Sequence, residues 1–282
     1  MQPLFSETGE KRLDEVARPG LLCAFDFDGT LAPIVPQPDD ARMQEHVKDR
    51  LVQLSEYAPI AIITGRSLQD IHARLDFAPD FVVGNHGQEG MPGWEARGAE
   101  HERLCAAWKA QLSQKLNRWG DGAGIELEDK RYSLSVHYRR AQNPQEAAAL
   151  VKDLLHGLEP SPRIVDGKFV YNVVPQDAYH KGSALEQLMR IVDAEAALYA
   201  GDDVTDEDVF RVKRDDLLSV RVEQAAASAA EFFLPNFCDM ARFLDRLIER
   251  LRTTGAHNWV RTATARTMDS KADGKHRKAS IP

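Results

Sequence analysis

The sequence has little of what marks secreted, thiolate-metal and membrane proteins. Its 282 residues contain three cysteines, Cys23, Cys105 and Cys238, and no pair of them has C-x-x-C spacing. This scarcity excludes a disulfide framework and a zinc site built on cysteine pairs, so a cytoplasmic location is expected. Hydrophobic residues make up 43% of the chain but never form a run of bilayer-spanning length, so we expect no membrane partner.

Positive charge is also scarce. The formal net charge of −8 argues against nucleic acid as a partner. Residues 1–20 mix charges of both signs and contain no apolar core, which is not the pattern of a signal peptide. Residues 253–282 are polar and aperiodic, and this composition predicts a disordered tail. We therefore expect a monomeric globular protein whose partner is a small molecule.

Short apolar runs alternate with segments of helical periodicity on both sides of a different middle region. Runs bounded by Pro, Gly or Asp predict strands buried on both faces, at residues 21–27, 59–63, 81–83, 196–200 and 217–222. Apolar residues at helical spacing predict helices after the first strand, at 181–192, and after Asp239 as an N-cap. This alternation predicts an α/β fold with a doubly wound parallel sheet.

The middle region has the pattern of a separate α+β layer. A helical stretch precedes two alternating segments, IELEDK and YSLSVHYR, and a second helix starts with Asn143 as its N-cap. Two more strands are expected on either side of a turn at Asp166-Gly167. We expect a cap domain at residues 99–177, inserted into a core of residues 1–98 and 178–252. The polar residues of YSLSVHYR share one face, which is either a solvated surface or a surface turned toward a ligand.

Acidic and polar residues follow the predicted strands where each strand ends. Open α/β sheets bind ligands beyond the carboxyl ends of their strands, so these residues are expected to meet at one edge. They are Asp26 and Asp28, Thr64, Gly65 and Arg66, Asn85 and His86, and Asp202, Asp203 and Asp206, with Lys181 at a helix start. Each alone could be a turn, an ordinary loop, a surface lysine or an acidic helix start, and it is the ordered combination that indicates a site.

The combination predicts phosphoryl transfer. Carboxylates gathered in a cleft repel one another unless a cation offsets the repulsion, and hard oxygen ligands favour Mg²⁺. One carboxylate of the Asp26–Asp28 pair can attack phosphorus to form an acyl phosphate, and the other can transfer a proton. Lys181 and the Thr64 hydroxyl would hold the phosphoryl oxygens.

These motifs resemble those of the haloacid dehalogenase superfamily and, within it, the trehalose-6-phosphate phosphatase family. The segments that carry the resemblance are FDFDGTLAPI, IITGRS, GNHGQE, YSLSVHYR, HKGSAL and LYAGDDVTDEDVF. The resemblance implies that Asp26 is the nucleophile and Asp28 the general acid and base. It also implies an Mg²⁺ ion held by Asp26, by the backbone carbonyl of Asp28 and by Asp202. Asp203 and Asp206 would be supporting residues.

The resemblance further implies that the middle region is a mobile cap that closes over a disaccharide. The residues of the cap that are similar to the family's sugar-binding set are Lys130, His137 and Arg139. The expected substrate-binding residues outside this set are Gly65, Arg66, Asn85, His86, Gly87 and Glu89. Asn172 stands where the family typically has a glutamate that contacts the sugar, so it is a departure within the binding set.

The reaction implied is Mg²⁺-dependent hydrolysis of trehalose 6-phosphate to trehalose and phosphate. Asn172 lacks the negative charge of a glutamate and leaves open a related phosphatase that acts on another sugar phosphate. A non-catalytic sugar-phosphate sensor and a phosphomutase are further alternatives. The first would bind without releasing phosphate, and the second would yield an isomerised sugar phosphate.

Overall fold

The structure, a computed structural model, describes residues 1–116, 124–167 and 169–255. The predicted disordered tail lies outside the described residues from 256 onward. The strands are β1 (Gln2–Pro3), β2 (Leu21–Phe25), β3 (Ile60–Ile63), β4 (Phe81–Val83), β5 (Glu126–Asp129), β6 (Leu134–His137), β7 (Arg163–Gly167), β8 (Val170–Val174), β9 (Ala196–Gly201), β10 (Leu217–Val222) and β11 (Phe232–Leu234). The helices are α1 (Glu7–Val16), α2 (Glu45–Leu54), α3 (Leu68–His72), α4 (Glu95–Leu116), α5 (Pro144–His156), α6 (Lys181–Val192), α7 (Glu207–Phe210) and α8 (Asp239–Thr253).

Seven parallel strands form the central sheet, in the order β1-β11-β10-β9-β2-β3-β4. Every residue of β2, β3 and β9 is buried, which explains why these strands are continuous apolar runs rather than alternating ones. The predicted α/β class is confirmed. None of the helices in the described part of the chain is both long and apolar enough to cross a bilayer.

The strand order places the first and last motifs side by side. β2 lies between β9 and β3, and Phe25 pairs with Ala200 across the β2–β9 ladder. The backbone N–H of Asp26 then donates to the carbonyl of Ala200 at 2.9 Å. Because both strands end at the same edge, the residues that follow β2 and β9 leave the sheet next to each other.

A second sheet is antiparallel, in the order β5-β6-β8-β7, and it packs with α4 and α5 around its own hydrophobic core. Trp108 and Leu112 of α4 are buried in this core with Leu134 and Val136 of β6. The indole N–H of Trp108 donates to the carbonyl of Pro160 at 2.7 Å, so its one polar atom is satisfied. The helix start at Asn143 is confirmed, since its side chain accepts from the backbone N–H groups of Gln145 and Glu146.

The chain divides into two compact units. The first unit contains Met1–Thr64, Gln69–Val83 and the chain from Lys181 onward, and the second contains Gly65–Leu68 and Gly84–His180. The parallel sheet belongs to the first unit and the antiparallel sheet to the second. The boundaries expected at residues 98/99 and 177/178 stay predictions.

The predicted turn at Asp166-Gly167 is wrong by two residues. Asp166 and Gly167 pair with Tyr171 and Val170 at the end of β7, and the reversal occurs between Gly167 and Val170. Phe169, with φ of 62°, has the left-handed backbone that a tight hairpin needs, although it is neither Gly nor Asn.

Two boundaries and two short strands differ from the sequence prediction. Asp239 is the first residue of α8 rather than its N-cap, and Cys238 holds the capping position without a side-chain bond. The first predicted strand ends at Phe25, two residues early, because a turn begins at Phe27, whose carbonyl accepts from the N–H groups of Leu31 and Ala32. The short outer strands β1 and β11 were not predicted.

Candidate active site

A buried lysine joins two carboxylates at the edge where β2 and β9 end. Lys181, the first residue of α6, is 1% exposed, and its Nζ lies 2.7 Å from Oδ1 of Asp26 and 2.7 Å from Oδ1 of Asp206. Asp202 completes the group, since one carboxylate oxygen each from Asp26, Asp202 and Asp206 lie within 4.8 Å of one another. The structure thus brings together Asp26, Lys181 and Asp202, which the sequence predicted as neighbours.

Asp206 is the best-satisfied carboxylate of the cluster. Its Oδ1 accepts from Lys181 and from the Tyr199 hydroxyl at 2.6 Å, and its Oδ2 accepts from the backbone N–H groups of Asp202 and Asp203, each at 2.9 Å. Burial opposes ionisation of this carboxyl, but the Lys181 charge and these donors outweigh burial and lower the pKa of Asp206. Its acceptor capacity is filled, so we assign it to Lys181 rather than to a metal.

Asp26 and Asp202 are in the opposite electrostatic situation. Burial, opposed by the Lys181 charge and reinforced by the neighbouring carboxylates, raises the pKa of Asp26. Burial, followed by the charges of Asp206 and Asp203, raises the pKa of Asp202 to about 7. A divalent cation would relieve this repulsion, and carboxylate oxygens are the ligands Mg²⁺ prefers. The pair therefore fits a metal of this kind.

The pKa of Lys181 shows that the cluster keeps the lysine charged. Burial alone would lower the pKa of its ammonium group, but the carboxylates of Asp206 and Asp26 more than offset burial and raise it. Among residues 1–116, 124–167 and 169–255, Asp26 accepts from a side chain only at Oδ1, from Lys181. Its Oδ2 is left for another partner.

The turn after β2 brings the chain against Asp202. Gly29 has φ of 79°, and a Cβ at this position would overlap the Asp202 carboxylate. Its N–H donates to the carbonyl of Ala32 at 2.8 Å, which closes the turn. The Thr30 hydroxyl donates to Oδ1 of Asp202 at 3.3 Å. A glycine is therefore required here by the close approach of a carboxylate as well as by its backbone angle.

The other two predicted catalytic residues lie in the same unit. Asp28 is partly buried and forms an isolated bridge with Ala32 within the turn. Thr64 is fully buried directly after β3, and its backbone N–H donates to the carbonyl of Val83 at 2.9 Å. The roles expected for their side chains stay predictions.

In the second unit, the Gly65-Arg66 loop contacts the GNHGQE segment. A Cβ on Gly65 would overlap the ring of His86, and the Asn85 N–H donates to the carbonyl of Arg66 at 2.8 Å. Asn85 and His86 both have positive φ, 48° and 57°, in a region that non-glycine residues seldom occupy. Such backbone strain is found most often at functional sites.

Glu89 holds this arrangement together. Its Oε2 accepts from the Leu68 N–H at 2.8 Å and from the Asn85 side-chain amide at 2.9 Å. Gly87 has φ of 112° and lies so close to the backbone of His180 that a side chain would be excluded. The structure gives Glu89 a role in holding two loops, and its expected contact with a sugar stays a prediction.

Lys130 and His137 meet at a carboxylate that the sequence analysis did not single out. Glu128 Oε2 lies 2.8 Å from His137 Nε2 and 3.7 Å from Lys130 Nζ. Glu128 could have been found, because strand alternation places it on the same face of IELEDK as Lys130. Arg139 does not join this group among the contacts described, and its guanidinium lies 5.9 Å from the centre of the Phe169 ring.

Asn172 is oriented by a buried serine. Ser135 is fully buried on the face of β6 opposite the hydrophobic core, and its hydroxyl donates to Oδ1 of Asn172 at 2.7 Å across the β6–β8 ladder. This bond uses the amide oxygen and leaves the Nδ2 group as a donor. Since Ser133 is also buried, the solvated-face alternative does not hold for the two serines of YSLSVHYR.

The parallel α/β fold, with an antiparallel sheet in a second unit, is the fold of phosphatases of the haloacid dehalogenase superfamily. Solved structures of trehalose-6-phosphate phosphatases have this fold. One from Aspergillus fumigatus has a TM-score of 0.62 and 23% identity over 88% of this chain and 99% of that chain. The C-terminal domain of the C. albicans protein has a TM-score of 0.63 and 21% identity over 88% and 99%.

The sequence comparisons narrow the class. The trehalose-phosphatase family model matches residues 24–235, and the chain belongs to this family. It is 32% identical over 254 residues to a trehalose-phosphate phosphatase of Mycobacterium marinum, which covers 85% of this chain and 64% of that protein. It is 29% identical over 252 residues to trehalose-phosphate phosphatase B of Arabidopsis thaliana, covering 82% and 67%. The chain thus spans less than two thirds of the length of the mycobacterial relative.

Proposed function

We propose that this protein is an Mg²⁺-dependent phosphatase that hydrolyses trehalose 6-phosphate to trehalose and inorganic phosphate. The observation that carries the proposal is the buried Lys181 between Asp26 and Asp206, beside Asp202, at the strand ends. A purely structural role explains this cluster poorly, because burying three carboxylates with one lysine is unfavourable. The names of the relatives supply the substrate.

The chemistry proceeds in two steps on Asp26. Its Oδ2 attacks phosphorus and the bond from phosphorus to the sugar oxygen breaks, while Asp28 gives a proton to the leaving oxygen. Asp28 then takes a proton from water, which attacks the aspartyl phosphate and regenerates the Asp26 carboxylate. Lys181 stabilises the charge on the phosphoryl oxygens, and Thr64 donates to them.

Asp26, Asp202 and the backbone carbonyl of Asp28 would hold the metal. When bound, Mg²⁺ supplies positive charge that stabilises the phosphoryl oxygens and offsets the repulsion between Asp26 and Asp202. Burial and the neighbouring carboxylates raise the pKa of both Asp26 and Asp202, and a bound cation would oppose this rise and favour the ionised nucleophile.

We propose that residues 99–177 form a cap that binds the disaccharide. The residues proposed to bind it are Lys130, His137, Arg139 and Asn172, with Gly65, Arg66, Asn85, His86, Gly87 and Glu89. Sugar hydroxyls require donors and acceptors of fixed orientation, and the contacts of Glu128 with His137 and of Ser135 with Asn172 supply such orientation. The cytoplasmic location and the monomeric state stay predictions.

The test is phosphate release from a panel of sugar phosphates, with and without Mg²⁺. We expect trehalose 6-phosphate to be preferred and activity to disappear in a chelator. Asp26→Asn should abolish turnover, because it keeps the shape of the side chain and removes the nucleophilic charge. An active Asp26→Asn protein would exclude the covalent route, and an isomerised sugar phosphate in place of free phosphate would indicate a mutase.

One observation favours a second candidate, a related phosphatase that acts on another sugar phosphate. With its oxygen engaged by Ser135, Asn172 presents a donor where a carboxylate would present an acceptor. A substrate with an acceptor group at the facing position would then be preferred. Faster turnover of such a sugar phosphate than of trehalose 6-phosphate would select this candidate, and binding without any phosphate release would instead indicate a sensor.

A further inference from the structure

Arg221 holds the backbone of the loop that carries Asp202. It lies near the end of β10, where it pairs with Gly201, the last residue of β9. Its Nη2 donates to the carbonyl of Asp202, and its Nη1 donates to the carbonyl of Asp203 at 3.2 Å. A guanidinium group is suited to this task, since its planar fork donates in two directions while keeping its charge.

Charged groups therefore hold three consecutive peptide units, and the unit between Asp202 and Asp203 is held from both sides. The Asp206 carboxylate accepts from the N–H groups of Asp202 and Asp203, and the Arg221 guanidinium donates to their carbonyls. Hydrogen bonds to charged groups are stronger than those between neutral groups. Little freedom remains in the backbone at Asp202, so the direction of its carboxylate toward Thr30 and Asp26 depends on both partners.

A buried glutamate fixes Arg221 in turn. Glu207 Oε1 lies 3.5 Å from Nη1 of Arg221, with 8% and 14% of their side chains exposed. Glu207 Oε2 accepts from the N–H of Ala229 at 2.9 Å, which ties the pair to the loop before β11. Desolvating such a pair is costly, and an apolar pair would stabilise the fold at least as well. The presence of the Glu207–Arg221 ion pair here is therefore better explained by a need to place the Arg221 guanidinium accurately.

We propose that Arg221 is a positioning residue that sets the metal affinity of the site by fixing Asp202. The inference rests on the proposed function for the metal site at Asp202 and for the identity of the metal as Mg²⁺. Residues that orient metal ligands typically contribute 10- to 100-fold to affinity, and that is the loss expected when Arg221 is replaced.

The chain supplies a matched control. Arg12 donates from Nη2 to the carbonyls of Asp215 and Leu217, at 2.5 and 3.3 Å, at the opposite end of β10. Its side chain is 18% exposed, close to the exposure of Arg221. Arg12→Met therefore removes the same kind of guanidinium–carbonyl contact without approaching the carboxylate cluster.

The experiment is an Mg²⁺ titration of the purified 282-residue chain. Binding is measured by calorimetry and, independently, by the rise in Tm with added metal. We expect Arg221→Met to weaken Mg²⁺ binding by about 10- to 100-fold. Phosphate release from trehalose 6-phosphate should recover toward the wild-type rate at high Mg²⁺. Arg221→Lys keeps the charge without the planar fork, so its Mg²⁺ affinity should lie between those of the wild type and Arg221→Met. Arg12→Met should lower Tm and leave Mg²⁺ affinity unchanged.

Wild-type Mg²⁺ affinity in a destabilised Arg221→Met protein would overturn the proposal, because Arg221 would then serve stability alone. Should that variant fail to fold, Arg221→Lys carries the test, and wild-type affinity in it overturns the proposal equally. Failure of the proposed function is distinguishable. A wild-type chain that binds Mg²⁺ in an Arg221-dependent manner but releases no phosphate would retain this inference and refute the phosphatase.

Discussion

Replacing Asp206 with asparagine tests the cluster most directly, because the change keeps the size of the side chain and removes one charge. The carboxylate accepts four hydrogen bonds, two on each oxygen. An asparagine has one oxygen and one NH₂ group, so two of these donors would face another donor whichever way the amide points. Lys181 would keep only Asp26 as an ionic partner among the described residues.

The magnitude follows from the burial of the pair. Removing one partner of a buried ion pair costs about 3–5 kcal/mol, because it leaves the other charge poorly compensated. For a protein of this size, each kcal/mol lowers Tm by about 2–4 °C, which gives a fall of about 6–20 °C. We also expect turnover to fall, since Lys181 would be drawn to Asp26 and the N–H groups that fix Asp202 would lose their acceptor.

The assay is thermal unfolding by calorimetry, with phosphate release measured on the same preparations. Tyr199→Phe is a milder variant for comparison, since it removes one of the described donors to Asp206 and leaves the charges in place. It should lower the free energy of unfolding by about 1.5–3 kcal/mol. Combining Asp206→Asn with Lys181→Met should cost less than the sum of the single changes, because both changes remove the same ion pair. An Asp206→Asn protein with unchanged Tm, or additive costs in the double variant, would refute the reasoning.

Three further predictions follow from named contacts. The pKa of Asp202 is raised from its ordinary value of 3.8 to about 7, so below pH 7 the metal-free folded state binds a proton that the unfolded state has lost. This proton is released as the pH rises from 6 to 8, so Tm measured in a chelator should fall over that range. Added Mg²⁺ should remove the fall. Gly29→Ala should weaken Mg²⁺ binding by about 10-fold or more in a titration, because the added Cβ overlaps the Asp202 carboxylate. Leu112→Ala should destabilise the second unit by about 2–5 kcal/mol in denaturant unfolding and leave Mg²⁺ affinity unchanged, since Leu112 is in that unit's core.

The central sheet could be predicted because its strands are buried on both faces. Continuous apolar runs such as Leu21–Phe25 and Ala196–Gly201 have few alternative structures when Gly or Asp bounds them. The convergence of Asp26 and Asp202 followed from the same property, since parallel strands end at one edge. The outer strands Gln2–Pro3 and Phe232–Leu234 have only two and three residues, too few to show a pattern.

The residues of GDDVTDED alone could not show that Asp206 is the carboxylate buried against Lys181. Asp202, Asp203 and Asp206 are chemically alike in the sequence, and only the 3₁₀ turn that follows Asp203 decides which of them is buried. That turn carries a capping box, in which Asp203 and Asp206 each accept from the other's backbone N–H. Arg221 gave no signal either, because its partners are carbonyl groups that every residue possesses.

The three carboxylates are distinguished by how the donors are shared among them. Asp206 takes four donors, and its pKa is lowered, so it is ionised and fixed at any physiological pH. Asp26 shares Lys181 and keeps Oδ2 without a described partner, which is the requirement for a nucleophile. Within the described residues the Asp202 side chain accepts only from Thr30, and its raised pKa indicates a carboxylate that a cation would stabilise. Since one lysine cannot neutralise all three, the fold places its donors on Asp206 and leaves Asp26 and Asp202 as the two carboxylates for the proposed metal.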